Sequence, residues 1–406
     1  MSTPTGNPRR TPHAHSLTSD DVCPRPSPLP RQIAEPAAPP IYPASVYRCG
    51  SPDEAARLLA GEVAGYVYSR DGHPNADLLA EKCRELHQAE RATVCSSGMA
   101  ALALAALAHL QQGQHVVVSN QLYGRSTQLF AAELPRLGME SSEVDTCDLT
   151  ATAAAFRPQT RLLVVETITN PRLRVCDLAA LAELAHARGA LLLVDNTFAT
   201  PVVCRPIELG ADLVVESLTK LMSGHSDVLL GFLCGRAAAW QRVVATQSTW
   251  GWSSSPFDCW LALRGLGTLA LRAERAGANA LAAAQYLAAR GEIAHVDYPG
   301  LQAHPDHALA ARQFAGRFGN MVTFTLKGGR NAAERFIAGA RQIAFCPSLG
   351  DLSTTLSHPA STSHRTMPDA AREALGISFG TIRLSLGIES AAWVHAALAE
   401  GLNAVG

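Results

Sequence analysis

The sequence predicts an α/β protein whose central part is a parallel sheet covered by helices. Three short apolar runs, at residues 161–166, 190–195 and 212–217, each end in a polar residue and have the length of strands buried on both faces. Between the first two runs, residues 177–189 carry apolar side chains at helical spacing. Strand–helix–strand units of this length indicate a parallel sheet.

After about residue 265 the alternation of predicted strands and helices changes. Residues 269–290 form an alanine-rich segment typical of a long helix, and strand-like runs follow at 321–326 and 381–387. A length of 406 residues also favours two domains over one. We therefore predict a small α+β domain after the large one, with these bounds: an N-terminal arm over 1–60, with 1–36 disordered, an α/β domain over 61–265 and a C-terminal domain over 266–406.

Composition and charge exclude several classes of protein. The net charge of −1 gives no electrostatic reason to expect a nucleic acid or an anionic membrane as partner. No apolar run is long enough to span a bilayer, and the N-terminus lacks the pattern of a secretory signal. The ten cysteines are scattered, without C-x-x-C pairs or zinc spacing. We expect a cytoplasmic protein with reduced thiols and no metal.

Polar residues stand at the carboxyl ends of the predicted strands, where ligands of such sheets bind. Glu166, Asp195 and Ser217 occupy those ends. Asp195 follows a fully apolar strand, and a buried carboxylate needs a cationic or hydrogen-bonding partner. A protonated pyridine nitrogen would serve. A helix N-cap or a structural ion pair explains the same residue without a ligand.

The chain has only three lysines, Lys82, Lys220 and Lys327, so a catalytic or cofactor-binding lysine must be one of these three. Lys220 follows Ser217 and Thr219 at the end of a predicted strand. Desolvation there would favour the neutral, nucleophilic amine. A surface lysine after a core strand is the alternative interpretation.

Two further segments are suited to a flat, phosphorylated ligand. Ser96, Ser97 and Gly98 precede an alanine- and leucine-rich helix, whose N-terminus can bind phosphate. Tyr123 follows a strand-like run and could stack on a planar ring. An ordinary serine N-cap and a buried tyrosine explain the same two features.

Taken together, eleven segments resemble the Cys/Met metabolism family of pyridoxal-phosphate (PLP) enzymes, which includes cystathionine synthases and lyases, methionine lyase and the homoserine sulfhydrylases. They stand in the family's order from about Pro40 to the C-terminus, whereas we recognise no such segment in the arm before Pro40. The segments are YSRDGHP (68–74), SSGMAA (96–101), LYGRS (122–126), ETITNP (166–171), VDNTFATP (194–201), SLTKLMSGHSD (217–227), LRGLGTL (263–269), YPGLQAHPDH (298–307), SLG (348–350), HPASTSH (358–364) and IRLSLGIE (382–389).

The resemblance implies a fold-type-I PLP-dependent transferase with a large mixed α/β domain and a smaller C-terminal α+β domain. Lys220 would hold the cofactor as a Schiff base and move protons, and Asp195 would pair with the ring nitrogen. The remaining implied cofactor contacts are Gly98, Met99, Ser217 and Thr219 at the phosphate, Tyr123 on the ring, and Thr197 and Asn170.

For the substrate and the assembly, the resemblance implies a further set of contacts. Arg383 and Ser348 would fix the substrate carboxylate, the former as a two-pronged ion pair. Tyr68 and Arg70 would reach the phosphate of a neighbouring subunit, so a homodimer with shared sites is the minimum and a tetramer is usual. Asn170 would also contact the substrate.

Two of the departures from the family's pattern concern the choice of substrate. Arg125 stands where methionine lyases have cysteine, and Ser353 stands where many cystathionine enzymes have glutamate. The resemblance is therefore closer to the homoserine sulfhydrylases, and we expect γ-replacement on an O-acylated homoserine with cysteine or sulfide. The alternatives are elimination from cystathionine or methionine, and a catalytically silent relative that acts as a binding subunit.

Overall fold

In the computed structural model, which describes residues 36–365 and 367–406, seven strands form the larger of two sheets. Their order is β1-β7-β6-β5-β4-β2-β3, and β7 runs antiparallel to both of its neighbours. The three predicted strands are β4 to β6, which confirms the parallel centre. The strands are β1 (Arg91–Cys95), β2 (His115–Ser119), β3 (Glu140–Val144), β4 (Thr160–Glu166), β5 (Leu191–Asp195), β6 (Leu213–Ser217) and β7 (Gly231–Gly235).

Helices cover both faces of this sheet, with one buried apolar cluster on each face. The helix predicted over 177–189 is α6, where Asp177 Oδ1 accepts the Ala180 N–H over 3.1 Å as an N-cap. The helices of this part are α1 (Pro52–Leu59), α2 (Pro74–His87), α3 (Gly98–His109), α4 (Gly124–Gln128), α5 (Leu149–Ala155), α6 (Leu178–Ala187), α7 (Thr200–Val203), α8 (Val243–Trp250) and α9 (Pro256–Leu266).

The second sheet has five strands in the order β10-β11-β12-β9-β8, antiparallel except for the β10–β11 pair. The predicted long helix and both predicted strands of this part are present. The elements are β8 (Ile293–Asp297), β9 (Met321–Leu326), β10 (Ala344–Phe345), β11 (Thr355–Ser357) and β12 (Thr381–Ser385), with α10 (Leu269–Ala288), α11 (His307–Gln313), α12 (Gly329–Gly339), α13 (Asp369–Ala374) and α14 (Ala391–Asn403).

The two sheets belong to one compact unit, Ile41–Gly406. The predicted boundary between residues 265 and 266 falls inside α9, and the division into two domains stays a prediction. The disorder predicted for residues 1–36 lies, apart from residue 36, outside the described residues. Among the described helices, none is long and apolar enough to cross a membrane.

One edge of the larger sheet brings the candidate residues together. Glu166 and Asp195 are register partners at the ends of β4 and β5, and Asp195 lies level with Val215 of β6, two residues before Ser217. Because neighbouring strands of a sheet lie roughly 4.8 Å apart, these side chains meet at the carboxyl edge, where a ligand is expected.

Candidate active site

A cavity of about 240 Å³ opens at this edge of the larger sheet. Residues from the ends of β4, β5 and β6, the start of α3 and the second sheet line it together. The lining includes eleven of the predicted site residues: Gly98, Met99, Tyr123, Asn170, Asp195, Thr197, Ser217, Thr219, Lys220, Ser348 and Arg383.

Lys220 enters the cavity from a turn directly after β6, where its backbone N–H donates to Ser217 O over 3.1 Å. Its ammonium nitrogen donates to Ser348 Oγ over 2.8 Å. Burial, and then the positive charge of Arg383, lowers the pKa of Lys220. Both causes favour the neutral amine, which is the form that acts as a nucleophile or a base.

Asp195 ends β5 at the floor of the cavity. Its Oδ1 accepts the Thr197 N–H over 3.0 Å, and Thr197 Oγ1 in turn accepts the Ser217 N–H over 3.0 Å. Burial raises the pKa of Asp195 to about 6. Within the described residues, no lysine, arginine or histidine forms an ion pair with this carboxylate, so a cation supplied by a ligand would be its natural partner.

Glu166 is the lining residue that sequence reasoning placed at a strand end but did not include in the site. Its Oε1 accepts the Tyr123 N–H over 2.6 Å, whereas Oε2 is buried without a hydrogen-bond partner. Burial, and then the negative charge of Asp195, raises the pKa of Glu166 well above its usual range. The sequence signal was available, because Glu166 ends β4 just as Asp195 ends β5.

The N-terminus of α3 forms the opposite end of the cavity. Ser97 caps the helix by accepting the Ala100 N–H over 3.1 Å. A Cβ atom at Gly98 would lie 2.8 Å from the Ser217 Cβ, so only glycine allows β6 this close to the helix. Thr219, predicted to bind phosphate, exchanges hydrogen bonds with Leu230 N and O at 3.1 and 3.3 Å.

Arg383, on β12 of the second sheet, brings a buried cation into the cavity. Its guanidinium donates to Asn170 Oδ1 over 2.7 Å and to the Ser348 carbonyl over 3.2 Å. Burial lowers the pKa of Arg383 to about 10, so the group stays charged near neutral pH. Tyr123 has 41% of its surface exposed and faces the same cavity.

Three predicted residues do not line the cavity. Tyr68 and Arg70 form a cation–π pair, with the guanidinium carbon 5.1 Å from the ring centroid, on an exposed part of the chain. Ser353 is exposed, and its hydroxyl donates to Asp351 Oδ1 over 2.8 Å.

The residues present fit pyridoxal phosphate. Asp195 is a carboxylate without a protein cation, as the ring nitrogen requires, and the N-terminus of α3 with Ser97 and Ser217 suits the phosphate. Lys220 supplies the amine between them. No group of three or more histidine, cysteine or acidic residues that could hold a metal occurs in the described part of the chain.

Comparisons with known proteins agree with this fit. Residues 29–403 match the family model described as Cys/Met metabolism PLP-dependent enzyme. The chain is 40% identical to O-succinylhomoserine sulfhydrylase of Pseudomonas aeruginosa, over 90% of each chain. It is 38% identical to L-methionine gamma-lyase of Fusobacterium nucleatum subsp. polymorphum, over 90% of this chain and 93% of that one.

A solved structure is equally similar. Cystathionine gamma synthase from Xanthomonas oryzae pv. oryzae, in complex with cystathionine, superposes with a TM-score of 0.86. Its sequence is 39% identical, and the match covers 91% of this chain and 93% of that chain. This similarity extends across both sheets, so the two-sheet architecture is that of fold-type-I PLP enzymes.

Proposed function

Because the chain belongs to the Cys/Met metabolism PLP-dependent enzyme family, we propose that it catalyses γ-replacement on an O-acylated homoserine, with cysteine or sulfide as the nucleophile. Membership makes it a PLP-dependent enzyme that acts on sulfur amino acids. The observation that carries the proposal is that Lys220 and the buried Arg383 lie in the same cavity and that both donate hydrogen bonds to Ser348.

Arg383 is proposed to bind the substrate carboxylate. A guanidinium binds a carboxylate best with two parallel hydrogen bonds, which requires a fixed orientation. Asn170 and the Ser348 carbonyl supply that orientation, since each accepts from a different nitrogen of Arg383. The substrate amino group would then lie near Lys220, whose amine is bonded to Ser348 Oγ.

Proton transfer is assigned to Lys220. When bound, pyridoxal phosphate supplies an electron sink that stabilises negative charge on the substrate. The lowered pKa of Lys220 keeps its amine available as a base that takes a proton from the substrate Cα and returns it elsewhere. Asp195 would hold the positive charge of the ring nitrogen, and Thr197 fixes the position of that carboxylate.

Tyr123 and the start of α3 are proposed to orient the cofactor. Glu166 holds the backbone of Tyr123 through a 2.6 Å hydrogen bond, which presents the ring to the cavity. The N-terminal amides of α3, with Ser97 and Ser217, suit a dianionic phosphate.

We further propose a homo-oligomer with shared sites, a dimer at minimum and a tetramer by analogy with the family, in the cytoplasm and without nucleic acid or membrane partners. The cavity supports sharing, because its described lining contains two cations, Lys220 and Arg383, and both are assigned to other groups. Tyr68 and Arg70 are exposed and could complete the phosphate site of a neighbouring subunit.

Elimination from methionine or cystathionine is the second candidate. The 38% identity to an L-methionine gamma-lyase favours it. Arg125 argues against elimination from methionine. It follows Gly124, at the position where the resemblance leads us to expect cysteine in methionine lyases. Arg125 donates to Gln128 Oε1 over 2.6 Å and is therefore tied to its own helix.

A substrate panel tests the proposal. Acetyl-, succinyl- and phospho-homoserine are each incubated with cysteine or sulfide, while cystathionine and methionine are supplied alone, and the products are identified by mass spectrometry. We expect cystathionine or homocysteine from at least one acylated homoserine. If only 2-oxo acids and thiols appear, from cystathionine or methionine, the lyase alternative replaces the proposal.

A further inference from the structure

A row of buried polar side chains crosses the carboxyl edge of the larger sheet, on the face opposite the Asp195 side chain. Thr167 Oγ1 donates to Asn196 Oδ1 over 2.7 Å, and Asn196 Nδ2 donates to Glu216 Oε1 over 2.7 Å. All three are buried completely. Successive residues of a strand point to opposite faces, so Asn196 and Glu216 lie back to back with their cavity-facing neighbours Asp195 and Ser217.

His87, the last residue of α2, ends this row. Its Nε2 lies 3.2 Å from Glu216 Oε1, and both side chains are 0% exposed. The imidazole stacks on Phe232 with the ring centroids 5.5 Å apart. Removing one partner of such a buried pair leaves an uncompensated charge, and no lysine or arginine of the described chain pairs with Glu216.

The row is also joined to the backbone of Asp195. Thr167 N–H donates to the Asp195 carbonyl over 3.0 Å, and Asn196 N–H donates to the Val215 carbonyl over 2.9 Å. The four side chains therefore hold the ends of β4, β5 and β6 at a fixed spacing. Of the four residues, only Glu216 also belongs to the lining of the cavity.

We propose that His87, Glu216 and Asn196 are positioning residues that set the charge and the orientation of Asp195 from behind the sheet, with His87 as the counter-charge of Glu216. A second carboxylate near Asp195 disfavours its ionisation, unless a cation neutralises that carboxylate. The inference rests on the proposed pairing of Asp195 with the cofactor nitrogen, because that pairing needs Asp195 to be charged.

The electrostatic surroundings agree with this assignment. Burial is the main cause that raises the pKa of Asp195, hydrogen bonds from Thr197 lower it, and the charge of Glu216 raises it further. The other titratable groups that face Glu216 or Asp195 are three thiols and one carboxyl: Cys83 of α2, Cys204 after α7, Cys234 of β7 and Glu166 of β4. Burial raises the pKa of all three thiols, so none of these neighbours supplies a positive charge, and His87, 3.2 Å from Glu216, is the neighbouring side chain that can carry one.

The test measures the dissociation constant of pyridoxal phosphate for the apoprotein as a function of pH, in wild type, His87→Gln, Glu216→Gln and the double variant. Affinity should fall at acid pH as Asp195 becomes protonated, and we call this falling part of the pH profile the acidic limb. In His87→Gln this acidic limb should move to higher pH, by about half a unit or more, because Glu216 has lost its counter-charge. In Glu216→Gln it should move to lower pH, and the double variant should resemble Glu216→Gln.

His115→Gln is the matched control, since His115 is also a buried histidine (1% exposed) but bonds to Thr160 and Ser142 instead. A purely structural role for the row would weaken binding in both single variants without moving the limb in opposite directions, and that result would overturn the inference. If His87→Gln does not fold, the shift in Glu216→Gln decides alone.

Asp195→Asn separates this inference from the function it rests on. If Asp195→Asn binds the cofactor with the wild-type pH profile, the pairing of Asp195 with the cofactor fails, and the inference fails with it. If Asp195→Asn loses affinity and the acidic limb, while His87→Gln and Glu216→Gln keep the wild-type limb, only the role of the row is rejected.

Discussion

At the scale of single residues, Lys220 and Asp195 could be predicted because each contradicts a simple rule of burial. A lysine and a carboxylate at the ends of apolar strands have to be explained by a partner or a ligand. Glu166 obeys the same logic and was left out of the site, since the sequence does not show that its Oε2 lacks a partner. The sequence also does not show where a hydroxyl group points. Thr219, for example, was predicted to bind phosphate, but its hydroxyl forms hydrogen bonds with the backbone of Leu230.

Lys220 gives the simplest prediction at this scale. Borohydride reduction of the loaded enzyme, followed by peptide mapping, should find the cofactor fixed on Lys220, because its lowered pKa favours the nucleophilic amine. Lys82 serves as an internal control, since it lies on the surface beside Glu85 at 3.5 Å. Label on Lys82 or Lys327 would reject the assignment.

The buried carboxylate of Asp195 should lower the stability of the apoprotein at neutral pH. Folding raises its pKa from 3.8 to about 6, so the folded apoprotein holds this proton longer than the unfolded chain. The free energy of unfolding therefore falls as pH rises from about 4 to about 6, by on the order of 2 to 3 kcal/mol at about 1.36 kcal/mol per pKa unit.

Asp195→Asn apoprotein, which is neutral at every pH, should therefore resist urea better than wild type at pH near 8, and the two should converge near pH 4. The loaded variant should lose turnover by several orders of magnitude, because the ring nitrogen loses its counter-charge. Unfolding curves of apoprotein at both pH values measure the first effect. An apoprotein no more stable than wild type at pH 8 would contradict it.

Ser353 tests the choice of nucleophile. It is exposed and bonded to Asp351, four residues after the lining residue Leu349. Ser353→Glu would add a negative charge there, which favours the ammonium of cysteine over sulfide. We expect the ratio of kcat/KM for cysteine to that for sulfide to rise about threefold, as an exposed pair is worth up to about 1 kcal/mol. Ser353→Gln is the size-matched control, and an equal change in both variants would rule out charge as the cause.

At the scale of elements, periodicity predicted the strands β4 to β6 and the helices α6 and α10 within one or two residues of their observed ends. Each has an uninterrupted pattern and a clear stop, such as the cap at Asp177 or the polar end of a strand. The helix predicted after Ser97 and Gly98 is present as α3, whereas the phosphate site at its start stays a prediction. The sequence could not show that β6 passes so close to this helix that Gly98 has no room for a side chain.

Gly98→Ala should therefore weaken cofactor binding without removing any polar group. The new Cβ would lie 2.8 Å from Ser217 Cβ and 3.2 Å from its Cα, so the helix and β6 must separate. We expect the dissociation constant of pyridoxal phosphate to rise at least tenfold, equivalent to about 1.4 kcal/mol. Gly291→Ala is the control, because its Cβ would meet nothing within 4 Å. Equal affinities in the two variants would show that the close approach is not needed for binding.

At the scale of the whole molecule, the cavity depends on the meeting of two sheets. Lys220 follows β6, whereas Arg383 lies on β12 and Ser348 precedes β11, yet all three are linked by hydrogen bonds. Strand and helix patterns carry no information about such a meeting, because it depends on how the sheets pack. Only the resemblance to known enzymes brought Arg383 and Ser348 into the predicted site.

The last prediction concerns assembly. The described lining of the cavity has no cation free for the cofactor phosphate, and the side chain of Arg70 is 51% exposed. If Arg70 serves the phosphate of a neighbouring subunit, Arg70→Ala and Lys220→Ala should each be nearly inactive. Mixing the two variants under conditions that exchange subunits should restore activity, because a hybrid dimer contains one site with both native residues.

Random pairing places half of all dimers in the hybrid state, and each hybrid has one intact site of two, so the recovered activity should approach about one quarter of wild type. Mixing Lys220→Ala with Asp195→Ala is the control. Both residues line the same cavity of one chain, so every site in that mixture, hybrid or not, still lacks one of the two. Recovery only in the Arg70 mixture, with exchange verified by native mass spectrometry, identifies a site shared between chains. Exchange without recovery would mean that one chain builds the whole site.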